Sequence, residues 1–153
     1  MNPATPATGI AALARAIPEL GRAGLSLSVA ITAACGALLA GSARDAAVAF
    51  AAVLLLAAGA SALNQVQERE DDRGLARTHR RPIPVGAVST RQAGLLAVLL
   101  LLAGFATLAV GGRGLVPVVL AWVAIALYNG IYTPLKRITT VAILPGAVAG
   151  ALP

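Results

Sequence analysis

From Ala46 to Leu63 the chain carries no charged side chain, and a helix of that length comes close to the about 20 apolar residues that cross a hydrocarbon core. Comparable runs extend over Gly24–Gly41, Gln92–Val110 and Leu115–Tyr128, the last extendable to Tyr132. A fifth, Thr139–Pro153, reads as a span cut off midway. These runs predict an all-α, polytopic transmembrane bundle. Composition agrees: 58% of residues are apolar and 12% charged, about half the roughly one quarter charged of a soluble domain. With aromatics at 3%, packing falls to small and branched aliphatics, Gly and Ala letting helices approach closely. Arg15 and Arg22 precede the first run as in a signal peptide, but the leader is long and similar runs follow, so it is read as a span. Cys35, the single cysteine, serves there as a small apolar filler.

Basic residues set the orientation. Arg15 and Arg22 precede the first run, Arg69, Arg73, Arg77, Arg80, Arg81 and Arg91 separate the second from the third, and Lys136 and Arg137 separate the fourth from the fifth. If the spans alternate, only Arg44 and Arg113 face the other side, so the positive-inside rule predicts a cytoplasmic amino terminus in a cell (inner) membrane protein. The net charge of +6 thus reflects topology and surrounding membrane lipid, with no nucleic-acid partner.

The one hydrophilic block is NQVQEREDDRGLARTHRRPIP, from Asn64 to Pro84. If the second helix continues past Leu63, at about 100° per residue Asn64, Glu68 and Asp72 fall near 0°, 40° and 80° and Asp71 near 340°, on one face, with Glu70 near 240° pointing away. Oxygen side chains so grouped suit a hard cation such as Mg²⁺, whose shell is usually completed by substrate phosphates. The alternative is a solvated helix end, with Glu68 paired to a nearby arginine. Pro82 and Pro84 break any helix and are expected to hold the chain extended, setting the arginines on a stiff loop where their planar forks can grip phosphate oxygens. Simple positive-inside anchoring is the competing explanation for these arginines. His79, the only histidine, has no partners at zinc spacing.

The pattern Asn64-x3-Glu68-x3-Asp72-x4-Arg77-Thr78-x2-Arg81-Pro82-x-Pro84-x-Gly86 resembles the first signature of the UbiA family of intramembrane prenyltransferases, Asn-x3-Asp-x3-Asp followed by an Arg-Pro-x-Pro-x-Gly loop. YTPLKRITTVAILPGAVAGALP, from Tyr132, is similar to a segment of the family's heme O synthase (protoheme IX farnesyltransferase) branch, and GRAGLSLSV, from Gly21, is similar to the start of that branch's first helix. The resemblance implies a helical bundle of about nine spans, of which four to five are present, around a cavity facing the cytoplasm. It also implies Mg²⁺ as cofactor, held by Asn64, Glu68 and Asp72 as metal-binding catalytic residues, with Arg77, Arg81, Lys136, Arg22 and Tyr132 toward the diphosphate. The implied reaction moves a farnesyl group from its diphosphate to heme b, giving heme O. Other acceptors left open are 4-hydroxybenzoate or another quinone or lipid precursor. From a different class, a non-catalytic transporter half or assembly partner is also weighed.

Glu68 stands where the family usually has Asp, and Val141-Ala142-Ile143 replaces an Asn common after the Leu-Lys-Arg segment. The family's second acidic motif is not found in this sequence. Residues 1–23 are therefore read as a cytoplasmic leader and 24–153 as the amino-terminal part of a prenyltransferase domain, expected to be inactive alone.

Overall fold

The computed structural model describes residues 10–111 and 114–152; Arg113 and Pro153, used in the readings above, lie outside the described residues. Helices α1 (Ile10–Leu20), α2 (Ala23–Ala40), α3 (Ala43–Gln67), α4 (Arg69–Gly74) and α5 (Thr90–Gly111) are followed by α6 (Val116–Leu135) and α7 (Ile143–Ala151). Among the described residues there is no strand. Four helices, α2, α3, α5 and α6, are long and apolar enough to cross a membrane. The last apolar run forms a 3₁₀ turn, Thr140–Ala142, and the shorter α7.

Helix α3 starts with a capping box. The Asp45 N–H donates to Ser42 Oγ at 3.3 Å while Asp45 Oδ2 accepts the Ser42 N–H at 2.9 Å, so a two-residue turn suffices to reverse the chain after α2. Small residues then let α5 lie close along α3. A Cβ on Gly59 would stand 2.9 Å from Leu101 Cγ, and one on Gly104 would stand 2.6 Å from Leu56 Cγ. Gly111 meets Val48, so residue numbers rise on one helix as they fall on the other, and the pair is antiparallel. Outward faces are apolar too: Leu95, Leu99 and Leu102 on α5 are exposed, as is Trp122 on α6. A helix apolar all round with its small residues inside is built for lipid.

One feature was not anticipated from the sequence and one departs from its reading. Residues of the leader form α1, whose Ala12, Ala16 and Leu20 are buried at four-residue spacing. Ala16 and Leu20 pack with Ala62 of α3, Ala93 and Ala97 of α5, and Ile83 and Val88 of the intervening loop. Gln65 Nε2 donates to the carbonyls of Glu19 (2.9 Å) and Leu20 (3.1 Å), satisfying the end of α1, which Arg22 terminates in the left-handed conformation (φ 48°). The loop after α4 is not extended. Pro82 and Pro84 do exclude helix, but the chain folds into successive turns, with Arg81 N–H bonded to Thr78 O, Val85 N–H to Arg81 O and Val88 N–H to Pro82 O. Burial of Ile83 and Val88 against α1 and α5 drives that compaction.

Candidate active site

Helix α3 ends at Gln67, and Glu68 takes a bridge-region conformation (φ −94°, ψ 4°) before the single turn and a half of α4. The four-residue hydrogen-bond rhythm survives the break: Glu68 N–H bonds Asn64 O at 2.9 Å and Asp72 N–H bonds Glu68 O at 2.8 Å. Asn64, Glu68 and Asp72 therefore stay stacked, and all three are buried, at 2%, 7% and 3% exposure. Asp71, expected on the same face, is not there. It is exposed and pairs with Arg137 at 2.9 Å, because helix α3 ends before Glu68 and the ideal angular count no longer applies across the break. Glu70 points outward as expected and pairs with Arg69 and Arg73.

Two cations close on the buried acids from separate elements. The turns of residues 75–89 bring Arg81 back so that its Nη1 donates to Asp72 Oδ2 at 2.6 Å and Oδ1 at 2.8 Å, and it lies 3.9 Å from Glu68 Oε2. Thr78 Oγ1 ties the same loop to Asp72 O at 3.2 Å. Lys136, just past the end of α6, forms an ion pair with Glu68 Oε1. Two cations, themselves partly exposed, match the two buried carboxylates in charge, which offsets the desolvation of the acids. A merely solvated helix end does not describe these residues.

A polar ladder runs from α3 to α6 beside the cluster. Asn64 Nδ2 donates to Thr133 Oγ1 at 2.9 Å, Asn129 Nδ2 to Ala60 O at 3.0 Å, Gln67 Nε2 to Asn129 O at 3.1 Å and Arg137 Nη2 to Gln67 O at 2.8 Å. Sequence reasoning missed Gln67, Asn129 and Thr133, although Asn129 and Thr133 inside an otherwise apolar span were a signal. The ladder falls on a π-helical stretch of α6, Ala126–Tyr132, the kind of distortion that gathers at functional sites. Tyr132 stacks on Tyr128 with ring centroids 5.6 Å apart, and Lys136 Nζ lies 5.0 Å from the Tyr132 centroid. Gly146 of α7 makes room for that ring, since a Cβ there would stand 2.9 Å from Tyr132 Cδ2.

The structure thus brings together Asn64, Glu68, Asp72, Arg81 and Lys136, with Tyr132 beside the lysine. Arg77 and Arg22 stand apart at the same end of the bundle, exposed and, among the described residues, without a side-chain hydrogen bond or ion pair. Below the cluster, toward the middle of the spans, an apolar cavity of about 550 Å³ lies between α2, α3, α6 and α7, lined by Val29, Val53, Ala57, Ala124 and others. Ser61 and Tyr128 belong to its wall; Ser61 is three residues before Asn64, about 4.5 Å along the helix.

Among the described residues no group of three or more His, Cys, Asp or Glu forms a metal cage. The donor set present, two carboxylates and one carboxamide, fits instead a cation such as Mg²⁺ that takes one or two protein carboxylates and completes its shell with water or phosphate.

The sequence profile of the UbiA prenyltransferase family matches residues 27–153. The chain is 51% identical over 106 residues to a protoheme IX farnesyltransferase of Geobacter sulfurreducens, covering 69% of this chain and 38% of that protein. The protein of the same name from Oleidesulfovibrio alaskensis is 38% identical over 141 residues, 91% of this chain and 50% of that one. The mitochondrial protoheme IX farnesyltransferase of Arabidopsis thaliana is 34% identical over 147 residues, 92% and 33%. The chain thus spans about half the length of these relatives or less. No solved structure matches.

Proposed function

Since the chain belongs to the UbiA prenyltransferase family, we propose that it contributes the diphosphate-binding half of a farnesyltransferase that prenylates heme b to heme O. One observation carries the reading. Asn64, Glu68 and Asp72 are buried, with Glu68 and Asp72 paired to the part-exposed Lys136 and Arg81, one helical turn from an apolar cavity. A polar, charged head and an apolar tail of one substrate fit that pair of environments. At about 550 Å³ the cavity lies within the roughly 300–1,000 Å³ of ordinary small-molecule sites.

Asn64, Glu68 and Asp72 would hold Mg²⁺, which supplies neutralising charge to the leaving diphosphate when bound. Arg81 and Lys136 exchange their carboxylate partners for phosphate oxygens as substrate enters, and so stabilise the charge that develops when the bond from farnesyl carbon to oxygen breaks. The apolar wall excludes water from the allylic cation until the terminal carbon of the acceptor's vinyl group captures it; the diphosphate departs as the free anion, and the carbocation left on the vinyl carbon next to the ring takes up one water and loses a proton to give a hydroxyl. Tyr132, stacked and facing Lys136, borders the path between head and tail. Arg77 and Arg22, exposed cations at the same end, serve arrival of the anionic head. Residues 24–153 then form part of a transmembrane prenyltransferase domain in the inner membrane. Its basic end, and residues 1–23 with α1, face the cytoplasm.

The test is heme O formation by the full-length protein with Mg²⁺, farnesyl diphosphate and heme b. Glu68→Ala and Asp72→Ala are expected to abolish turnover without leaving the membrane, and Glu68→Asp to retain it. Parent rates in both alanine variants would overturn the site. Prenylation of 4-hydroxybenzoate with none of heme b would overturn the acceptor alone.

A further inference from the structure

Within that proposed metal and diphosphate site, on which this inference rests, we infer that Thr133 is a positioning residue that sets which end of the Asn64 carboxamide faces the cation. A carboxamide offers an oxygen that ligates a metal and a nitrogen that cannot, and the two differ only by a half-turn about one bond. Something must hold the right face.

The chain of hydrogen bonds decides it by elimination. Tyr128 O is a carbonyl and can only accept. Thr133 Oγ1 lies 2.8 Å from it, and the Thr133 backbone N–H goes to the same oxygen, five residues back, which is the π-helical pattern. The hydroxyl proton of Thr133 is therefore spent on Tyr128 O. What Thr133 then shows to Asn64, 2.9 Å away, is a lone pair, so Asn64 must meet it with Nδ2. Both side chains are buried, Thr133 at 1% and Asn64 at 2% exposure, and an oxygen placed against that lone pair would be repelled in a site with little water to relieve it. Because oxygen and nitrogen sit on opposite sides of the amide carbon, holding the nitrogen toward α6 turns the oxygen away from Thr133 and keeps it available as a ligand. The π-helical turn gains a purpose here: it is what places the Thr133 hydroxyl over the Tyr128 carbonyl.

The experiment uses the full-length protein with Mn²⁺ and inorganic pyrophosphate, free Mn²⁺ being read by electron paramagnetic resonance. Thr133→Val, which keeps the shape and removes the acceptor, should weaken Mn²⁺ binding about tenfold or more, the usual effect of losing a group that orients a ligand. Thr133→Ser should bind as the parent does. Thr133→Cys, a poor acceptor of the same size, carries the same expectation as Val should the latter not fold. In an Asn64→Ala background Thr133→Val should cost nothing more, which a general packing defect would not reproduce. Parent-like Mn²⁺ affinity in Thr133→Val, alongside lost affinity in Glu68→Gln, would overturn the role of Thr133 and leave the metal site standing. Parent-like affinity in Glu68→Gln and Asp72→Asn would overturn the metal site and this inference with it.

Discussion

Replacing Lys136 by Met separates the structural from the chemical work of the buried ion pairs. Glu68 is 7% exposed, and its two oxygens have two cationic neighbours, Lys136 in contact and Arg81 Nη1 at 3.9 Å. Arg81 is already committed to Asp72 at 2.6 Å. Removing one partner from a buried pair typically costs about 3–5 kcal/mol, because the other charge is left unmatched. The Lys136 side chain is 32% exposed and Arg81 remains within reach, so the loss here is set lower, at about 2 kcal/mol. Adding Glu68→Gln removes the stranded charge, and the double variant should recover at least half of that loss, a coupling of about 1–2 kcal/mol. Denaturant unfolding in detergent, followed by helix content, reads this directly. Turnover should behave differently: loss of one stabilising cation lowers kcat by about 10²–10³, and the double variant should stay as slow as the single. Equal stability of parent, single and double variants would show that Lys136 and Glu68 do not pair.

Gly104→Ala should destabilise by about 1–3 kcal/mol, since its Cβ would meet Leu56 Cγ at 2.6 Å and the backbone Ala52 O at 3.1 Å, whereas Gly94→Ala, with nothing within 4 Å, should be neutral or stabilising; thermal unfolding of the two side by side checks this. Arg81→Ala should raise KM for farnesyl diphosphate and lower kcat, by about tenfold or more together, while Arg77→Ala, exposed and unpaired, should change KM alone and less; equal effects would place both arginines in the same role. A reporter active only outside the cytoplasm should be silent when fused after Gly86 and active when fused after Ser42, in the turn between α2 and α3; the reverse pattern would invert the proposed orientation.

Much of this was legible in the residues. Apolar length alone located α2, α3, α5 and most of α6, because lipid requires of every spanning helix what the sequence displays as uninterrupted Ala, Leu and Val. The four-residue spacing of Asn64, Glu68 and Asp72 predicted a common face, and the spacing held because the hydrogen bonds of the helix continue through Glu68. Asp71 was misplaced by the same reasoning, since a sequence does not show that the helix breaks at Glu68. The extended loop failed for another reason. Pro82 and Pro84 restrict their own backbone, but Ile83 and Val88 had a core to enter, formed by Ala16 and Leu20 of α1, which the leader's small, interrupted apolar face did not announce. The π-helical turn in α6 was invisible because its backbone bonds run within one apolar span of ordinary helical composition, and the side-chain bonds that accompany it, to Asn64 and Ala60 on α3, lie far away in sequence.

The most direct measurement is calorimetric titration of the full-length protein with the thiolo analogue of farnesyl diphosphate, which binds without turnover, in Mg²⁺ and again in excess EDTA. Binding in Mg²⁺ is expected to disappear with EDTA and in Asp72→Ala, and to weaken at least tenfold in Lys136→Met. Binding of parent affinity in EDTA, or in Asp72→Ala with Mg²⁺ present, would contradict a metal and diphosphate site built on Asn64, Glu68 and Asp72.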